Sequence, residues 1–269
     1  MVLHDGSLIV LTAGQANTLT GLPGLTRLAE GLRNRLCILN VRQRSAPAHA
    51  VSLPGVLPND VFTVWPEHLS AVLTTFAASD GRLLALLPTR HRGLTRVFVG
   101  NDFERLIRPG ALPLLALPPT GALPPLRRVL FPADFAPRSD AAFTHTLALC
   151  STFGAELHIV HVYGADALLP SETDQARRSA TTNIRDLLAI DRELLSQYAT
   201  RATEAGIPVQ TATAEGRAHD VINRYANDQA IDLIVMATHG PRTPEDILFG
   251  TTTARTICAA NVPVLAIPA

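Results

Sequence analysis

The chain has 269 residues, 47% hydrophobic and 17% charged, long enough for two ordinary domains and too apolar for wholesale disorder. Its formal net charge is zero and no apolar run approaches the length of a membrane helix, so neither a nucleic-acid nor a membrane partner is expected. All 23 basic residues are arginine, which excludes a Walker A phosphate loop and Schiff-base chemistry, since both need a lysine.

The first twenty residues contain Asp5 and Gly6 and no basic segment ahead of an apolar one, which predicts no signal peptide. A first strand is expected at Ile9-Val10-Leu11, a later one at Leu83 to Leu87, and a closing one at Leu112 to Leu117. Pro118-Pro119-Thr120-Gly121-Ala122-Leu123-Pro124-Pro125 cannot continue a helix or an inner strand and reads as a linker. The division expected is 1–119, a linker at 120–126, and 127–269. The three cysteines, Cys37, Cys150 and Cys258, are far apart and form no C-x-x-C pair, which predicts a reduced, cytoplasmic setting.

Beyond the linker the pattern predicts strand 127–134, helix 138–152, strand 156–162 and a polar loop to about 182. Helix 183–205 follows, with Leu187, Leu188, Leu194, Leu195 and Tyr198 at helical spacing. Then come strand 207–213, helix 217–228, strand 231–236, helix 251–260 and strand 262–267. Strands alternating with helices imply a doubly wound parallel sheet, a Rossmann-like α/β fold. Right-handed crossovers set its first and fourth strands side by side, in the order 3-2-1-4-5.

The two halves repeat one another. Leu83 to Leu87 precede Leu233 to Ala237 by 150 residues, and Gly100, Arg105, Ile107 and Pro113 precede Gly250, Arg255, Ile257 and Pro263 by the same offset. The first strands pair at an offset of 120, so the first half is about thirty residues shorter in its middle. Gap-free spacing of this kind argues for duplicated domains. The closing strands, 112–117 and 262–267, are apolar edges that need cover, and we expect them to pair within the chain as a pseudo-dimer. A homodimer through another face stays open.

The chemistry concentrates in the second half. Met236-Ala237-Thr238-His239-Gly240 leaves a strand, and Gly250-Thr251-Thr252-Thr253 opens a helix nine residues later. Glycine allows close backbone approach, and free N–H groups at a helix start attract anions. This layout resembles the universal stress protein family, whose nucleotide-binding members carry Gly-x-x-Gly, nine residues, then Gly-Ser/Thr. Gly240, Gly250 and Thr251 match, while Ala237 stands at the first glycine. Val129 to Asp134 is similar to the family's first strand, and Leu157 to Val162 to its second.

The resemblance implies adenine nucleotide binding, ATP or AMP, with Mg2+ compatible with the phosphates and any hydrolysis slow. It implies Asp134, after Pro132 and Ala133, for the ribose. It implies Val162 for adenine, and Met236, Ala237, His239, Gly240, Gly250, Thr251 and Thr252 around the phosphates. No catalytic residue and no metal ligand is assigned. Asp134 also reads as a helix N-cap or turn aspartate ahead of a proline-started helix. His158 and His161, three apart on a strand, point to opposite faces and cannot share an ion. Gly216 reads equally as a ligand-admitting glycine or a turn glycine. The first half carries Gly14, Arg90 and Asn101 where Asp134, Gly240 and Thr251 stand, a degenerate set. Ala237 and the acidic pair Glu245-Asp246 also fit the alternative of a nucleotide-free interaction module.

Overall fold

The apolar runs at 9–11, 129–131 and 157–162 are inner strands, and the alternation of strand and helix persists along the chain. The computed structural model describes residues 6–13, 22–41, 61–64, 66–78, 81–86, 112–137, 139–164, 174–238 and 251–268. In chain order the elements are β1 (Ser7–Ala13), α1 (Leu22–Gly31), β2 (Arg35–Val41), β3 (Val61–Val64), α2 (Pro66–Ala78), β4 (Gly81–Leu86) and β5 (Leu114–Ala116). There follow β6 (Arg128–Ala133), α3 (Ser139–Phe153), β7 (Glu156–Tyr163), α4 (Asp174–Glu204), β8 (Val209–Glu215), α5 (Ala218–Asp228), β9 (Leu233–Thr238), α6 (Thr251–Ala259) and β10 (Val264–Pro268).

The chain divides into two compact units, Met1–Pro125 with Met236–Ala269, and Leu126–Val235. In the first unit β1 lies between β2 and β4, parallel to both, with β3 outside β2 and β5 outside β4. That is the 3-2-1-4-5 order of a doubly wound sheet. Ile9, Leu39, Leu84, Leu112, Leu114 and Ala266 form its core, and Ala254 and Ile257 of α6 pack against them.

β10 pairs antiparallel with β5, Val264 opposite Ala116 and Ala266 opposite Leu114. The two closing strands therefore meet, as their apolar edges require. This pairing also explains why the C-terminal segment belongs to the first compact unit although its sequence repeats residues of the first half. Pro113 stands just before β5, where its missing N–H costs least, and its carbonyl accepts from Leu84 N at 2.9 Å. The proline-rich segment before Leu126 does not hang free. Leu123 is buried, and its carbonyl oxygen accepts a hydrogen bond from Arg27 Nη2 of α1 at 3.2 Å.

In the second unit β6 lies between β9 and β7, and β8 lies outside β7, all parallel. Phe131, on β6, packs with Phe143 of α3 and Tyr198 of α4, ring centroids 5.2 and 6.2 Å away. Tyr198 and Phe143 are themselves 4.4 Å apart, and the Arg201 guanidinium covers the Phe143 ring at 4.8 Å. On the other face His158 is buried against α5, its Nδ1 3.0 Å from the Tyr225 hydroxyl.

β5, β8 and β10 each begin two residues later than expected, and two further boundaries differ for a visible reason. α4 begins at Asp174, so much of the segment expected to be a polar loop is helix. Its Gln-Ala-Arg-Arg start is polar yet rich in good helix formers, and polarity alone was a poor guide. β9 begins at Leu233 instead of Ile231. The Asp232 carboxylate accepts hydrogen bonds from the backbone N–H groups of Arg127 and Arg128 at 2.8 and 2.9 Å. The aspartate inside the apolar run thus fastens the start of β6 and delays the strand by two residues.

Candidate functional site

Within the second unit the assigned residues cluster at the carboxyl ends of β6 and β7. Parallel pairing sets Pro132 opposite Val160 and Ala133 opposite His161, with Val162 one step further along β7. Asp134 follows directly and is exposed. Its Oδ1 accepts a hydrogen bond from Ala136 N at 3.1 Å and another from the Ser139 hydroxyl. Asp134 thus closes the turn before α3, accepting from the backbone two residues on and from the side chain that opens the helix.

The turn that presents Asp134 is unusual. Phe135 has φ 55°, a left-handed conformation that bulky side chains seldom adopt and that costs free energy unless its surroundings hold it. Here they do. The Phe135 ring stacks on His161, centroids 4.5 Å apart, and meets the edge of Tyr198 at 5.8 Å. His161 Nδ1 lies 2.8 Å from the Ala133 carbonyl oxygen, and its Nε2 lies 3.3 Å from Asp191 Oδ2 on α4. Burial raises the Tyr198 phenol above its usual range, with Asp140 adding to the effect and Arg201 opposing it, so the ring stays neutral.

His158 and His161 do face opposite sides of the sheet, towards α5 and α4. No group of three His, Cys, Asp or Glu side chains among the described residues could hold a metal ion. Gly216 serves a turn. Its φ is 140° and its N–H donates to Tyr163 O at 3.0 Å, while a Cβ there would meet Val221 Cγ2 at 3.0 Å.

The remaining assigned residues belong to the first unit. Met236 is buried near the end of β9, and Ala237 is half-buried. Thr251 begins α6 and Thr252 is half-buried on its first turn. Thr253, which sequence reasoning did not assign, is buried and donates from Oγ1 to Ala237 O at 3.4 Å, fastening the helix start to the strand end. Thr238 Oγ1 likewise donates to Ile267 O at 3.4 Å. His239, Gly240 and Gly250 lie outside the described residues, as do Gly14, Arg90, Asn101, Glu245 and Asp246.

Sequence reasoning also missed Asp191 and Phe135. A signal for Asp191 existed: it falls three residues after Leu188 and four before Leu195, on the apolar stripe of its helix, where a carboxylate needs a partner.

The sequence model described as the Universal stress protein family matches residues 125–268, just over half of the chain. The chain belongs to the universal stress protein family. It is 22% identical over 152 residues to the universal stress protein MJ0577 of Methanocaldococcus jannaschii, covering 52% of this chain and 94% of that relative. Solved structures similar along the whole chain include the functionally unknown protein PA1789 from Pseudomonas aeruginosa PAO1. That likeness has a TM-score of 0.66 and 18% identity, covering 97% of this chain and 92% of the other. A universal stress protein from Archaeoglobus fulgidus DSM 4304 gives a TM-score of 0.61 and 14% identity, covering 99% and 97%. These likenesses speak for the fold, a mixed α/β architecture with a mostly parallel sheet. No helix among the described residues is long and apolar enough to cross a membrane.

Proposed function

We propose that this universal stress protein binds an adenine nucleotide, ATP or AMP, through its C-terminal repeat, in a sensing or regulatory role. The observation that carries the reading is the family match over 125–268, which contains every residue of the nucleotide pattern. The geometry at the end of β6 supports it: an exposed carboxylate, Asp134, is held in a fixed turn rather than left on a loose loop. In this reading Asp134 accepts from ribose hydroxyls and the backbone at Val162 meets the base. The N–H groups and hydroxyls at Gly240, Gly250, Thr251 and Thr252 take the phosphates, with Mg2+ offsetting their charge. The chain is a tandem of two such domains, and its first half has lost the pattern.

The test is direct. Purified protein is extracted with acid and analysed for nucleotide, then titrated by calorimetry with ATP–Mg2+ and with AMP. Ligand at a hundred times its dissociation constant should add ~2.7 kcal/mol to stability in a thermal shift. If no nucleotide co-purifies and millimolar additions give neither heat nor shift, the interaction-module reading takes its place. Ala237 at the first glycine position is the observation favouring that second reading.

A further inference from the structure

Within the second unit, three contacts converge on one side chain at the strand ends. The Ala133 carbonyl can only accept, so His161 Nδ1 carries a proton and donates across 2.8 Å. The Asp191 carboxylate lies 3.3 Å from Nε2, and with side chains 13% and 11% exposed this is not a solvent-screened surface contact. The imidazole face supports Phe135 at 4.5 Å, and Phe135 holds φ 55°. The carbonyl that Nδ1 fixes belongs to the peptide that leads into Asp134.

We propose that His161, held by Asp191, is the positioning residue of the Ala133–Ala136 turn, so that α4 sets the direction in which the Asp134 carboxylate is presented. Its functional consequence rests on the nucleotide reading; its mechanics do not. Nδ1 fixes the peptide entering the turn, and the ring face prevents Phe135 from relaxing to an ordinary negative φ. The Asp134 Oδ1 bonds to Ala136 and Ser139 then close the turn from the other side. Packing alone would be served equally by a phenyl ring at 161. The two polar contacts make histidine specific.

The experiment uses the whole protein and four forms: wild type, His161→Phe, Asp191→Leu and Asp191→Asn. Phenylalanine keeps the stack and loses both polar contacts; asparagine keeps a polar partner beside Nε2. Amide hydrogen exchange is read at Ala136 and, as a control, at Leu130 in the core. ATP–Mg2+ and AMP are titrated by calorimetry. In His161→Phe and Asp191→Leu the Ala136 amide should exchange about tenfold faster, and nucleotide should bind about tenfold more weakly, the worth of one hydrogen bond. Asp191→Asn should stay near wild type, and Leu130 should not respond. If His161→Phe does not fold, the contrast between the two Asp191 variants decides. Unchanged protection at Ala136, or equal loss at Ala136 and Leu130, overturns the positioning role. Affinity indifferent to a loosened turn overturns its link to the ligand. A wild type that binds no nucleotide while Ala136 responds as described sinks the nucleotide reading and supports the positioning pair.

Discussion

Replacing Gly24 by alanine should destabilise this protein, the reverse of what helix propensity dictates. In a helix interior the change from glycine to alanine gains ~1 kcal/mol. At Gly24 the added Cβ would stand 2.2 Å from Leu123 O, 2.7 Å from Leu123 Cβ and 3.0 Å from Leu123 C. Non-bonded carbons rest at about 3.5–4.0 Å, so the neighbour must retreat by roughly an ångström. The obstacle is backbone, in a segment carrying Pro124 and Pro125, and cannot rotate aside. Overpacking of this kind costs about 1–3 kcal/mol. Displacing Leu123 O also loses the bond from Arg27 Nη2, worth about 1 kcal/mol. The net expectation is a loss of about 1–3 kcal/mol, or roughly 2–4 °C of Tm for each kcal/mol. Urea unfolding followed by circular dichroism measures it. Leu123→Ala keeps both the carbonyl and the Cβ, so the double variant should recover nothing. A Gly24→Ala protein as stable as wild type, or one rescued by Leu123→Ala, would refute the packing of this segment on α1.

Thiol titration of the native protein should show one fast cysteine, the exposed Cys258. Cys37 and Cys150 are buried, and burial pushes the Cys150 thiol up to about 12; all three should react once guanidinium unfolds the chain, and two fast native thiols would contradict the burial. His158 is held below its usual 6.5 by burial, partly opposed by Glu156, so the unfolded chain takes up the proton first. Its contribution to stability is therefore intact above 6.5 and is lost as pH falls from there towards the lowered native value; His158→Gln should flatten urea midpoints in that window, and an unchanged slope would count against it. Calorimetry should find one nucleotide per chain, since Arg90 and Asn101 stand where Gly240 and Thr251 do, and two sites would overturn the degenerate first half.

Most of the fold was legible because the strands are inner and parallel. Buried on both faces, they read as continuous apolar runs, and the proline–glycine segments between them punctuate plainly. The 150-residue offset was stronger still: β4, β5, β9 and β10 fall on it, so one half vouched for the other. Boundaries failed where a local polar contact outweighed periodicity. Nothing in Ile231-Asp232-Leu233 says that the carboxylate will turn back to two amides about a hundred residues earlier in the chain. The start of α4 failed for the opposite reason, since a helix without an apolar stripe offers no period to read.

The site divides along the same line. Asp134 could be singled out because its place, after a buried strand and before a proline, limits what an acid can do there. Sequence offered a capping or turn aspartate and a ligand-binding carboxylate, and the structure shows the turn. The turn uses Oδ1, on which Ala136 N and the Ser139 hydroxyl both converge. A carboxylate offers about four acceptor positions on two oxygens, so closing the turn consumes part of that capacity and orients the rest. A residue that builds its own turn is thereby better fixed for a second task. The same logic covers Asp191, whose signal was its misplacement on an apolar stripe, and His161, whose two nitrogens lie against the Ala133 carbonyl and the Asp191 carboxylate. In this protein the polar residues that look wrong for their element are the ones that hold the strand ends in place.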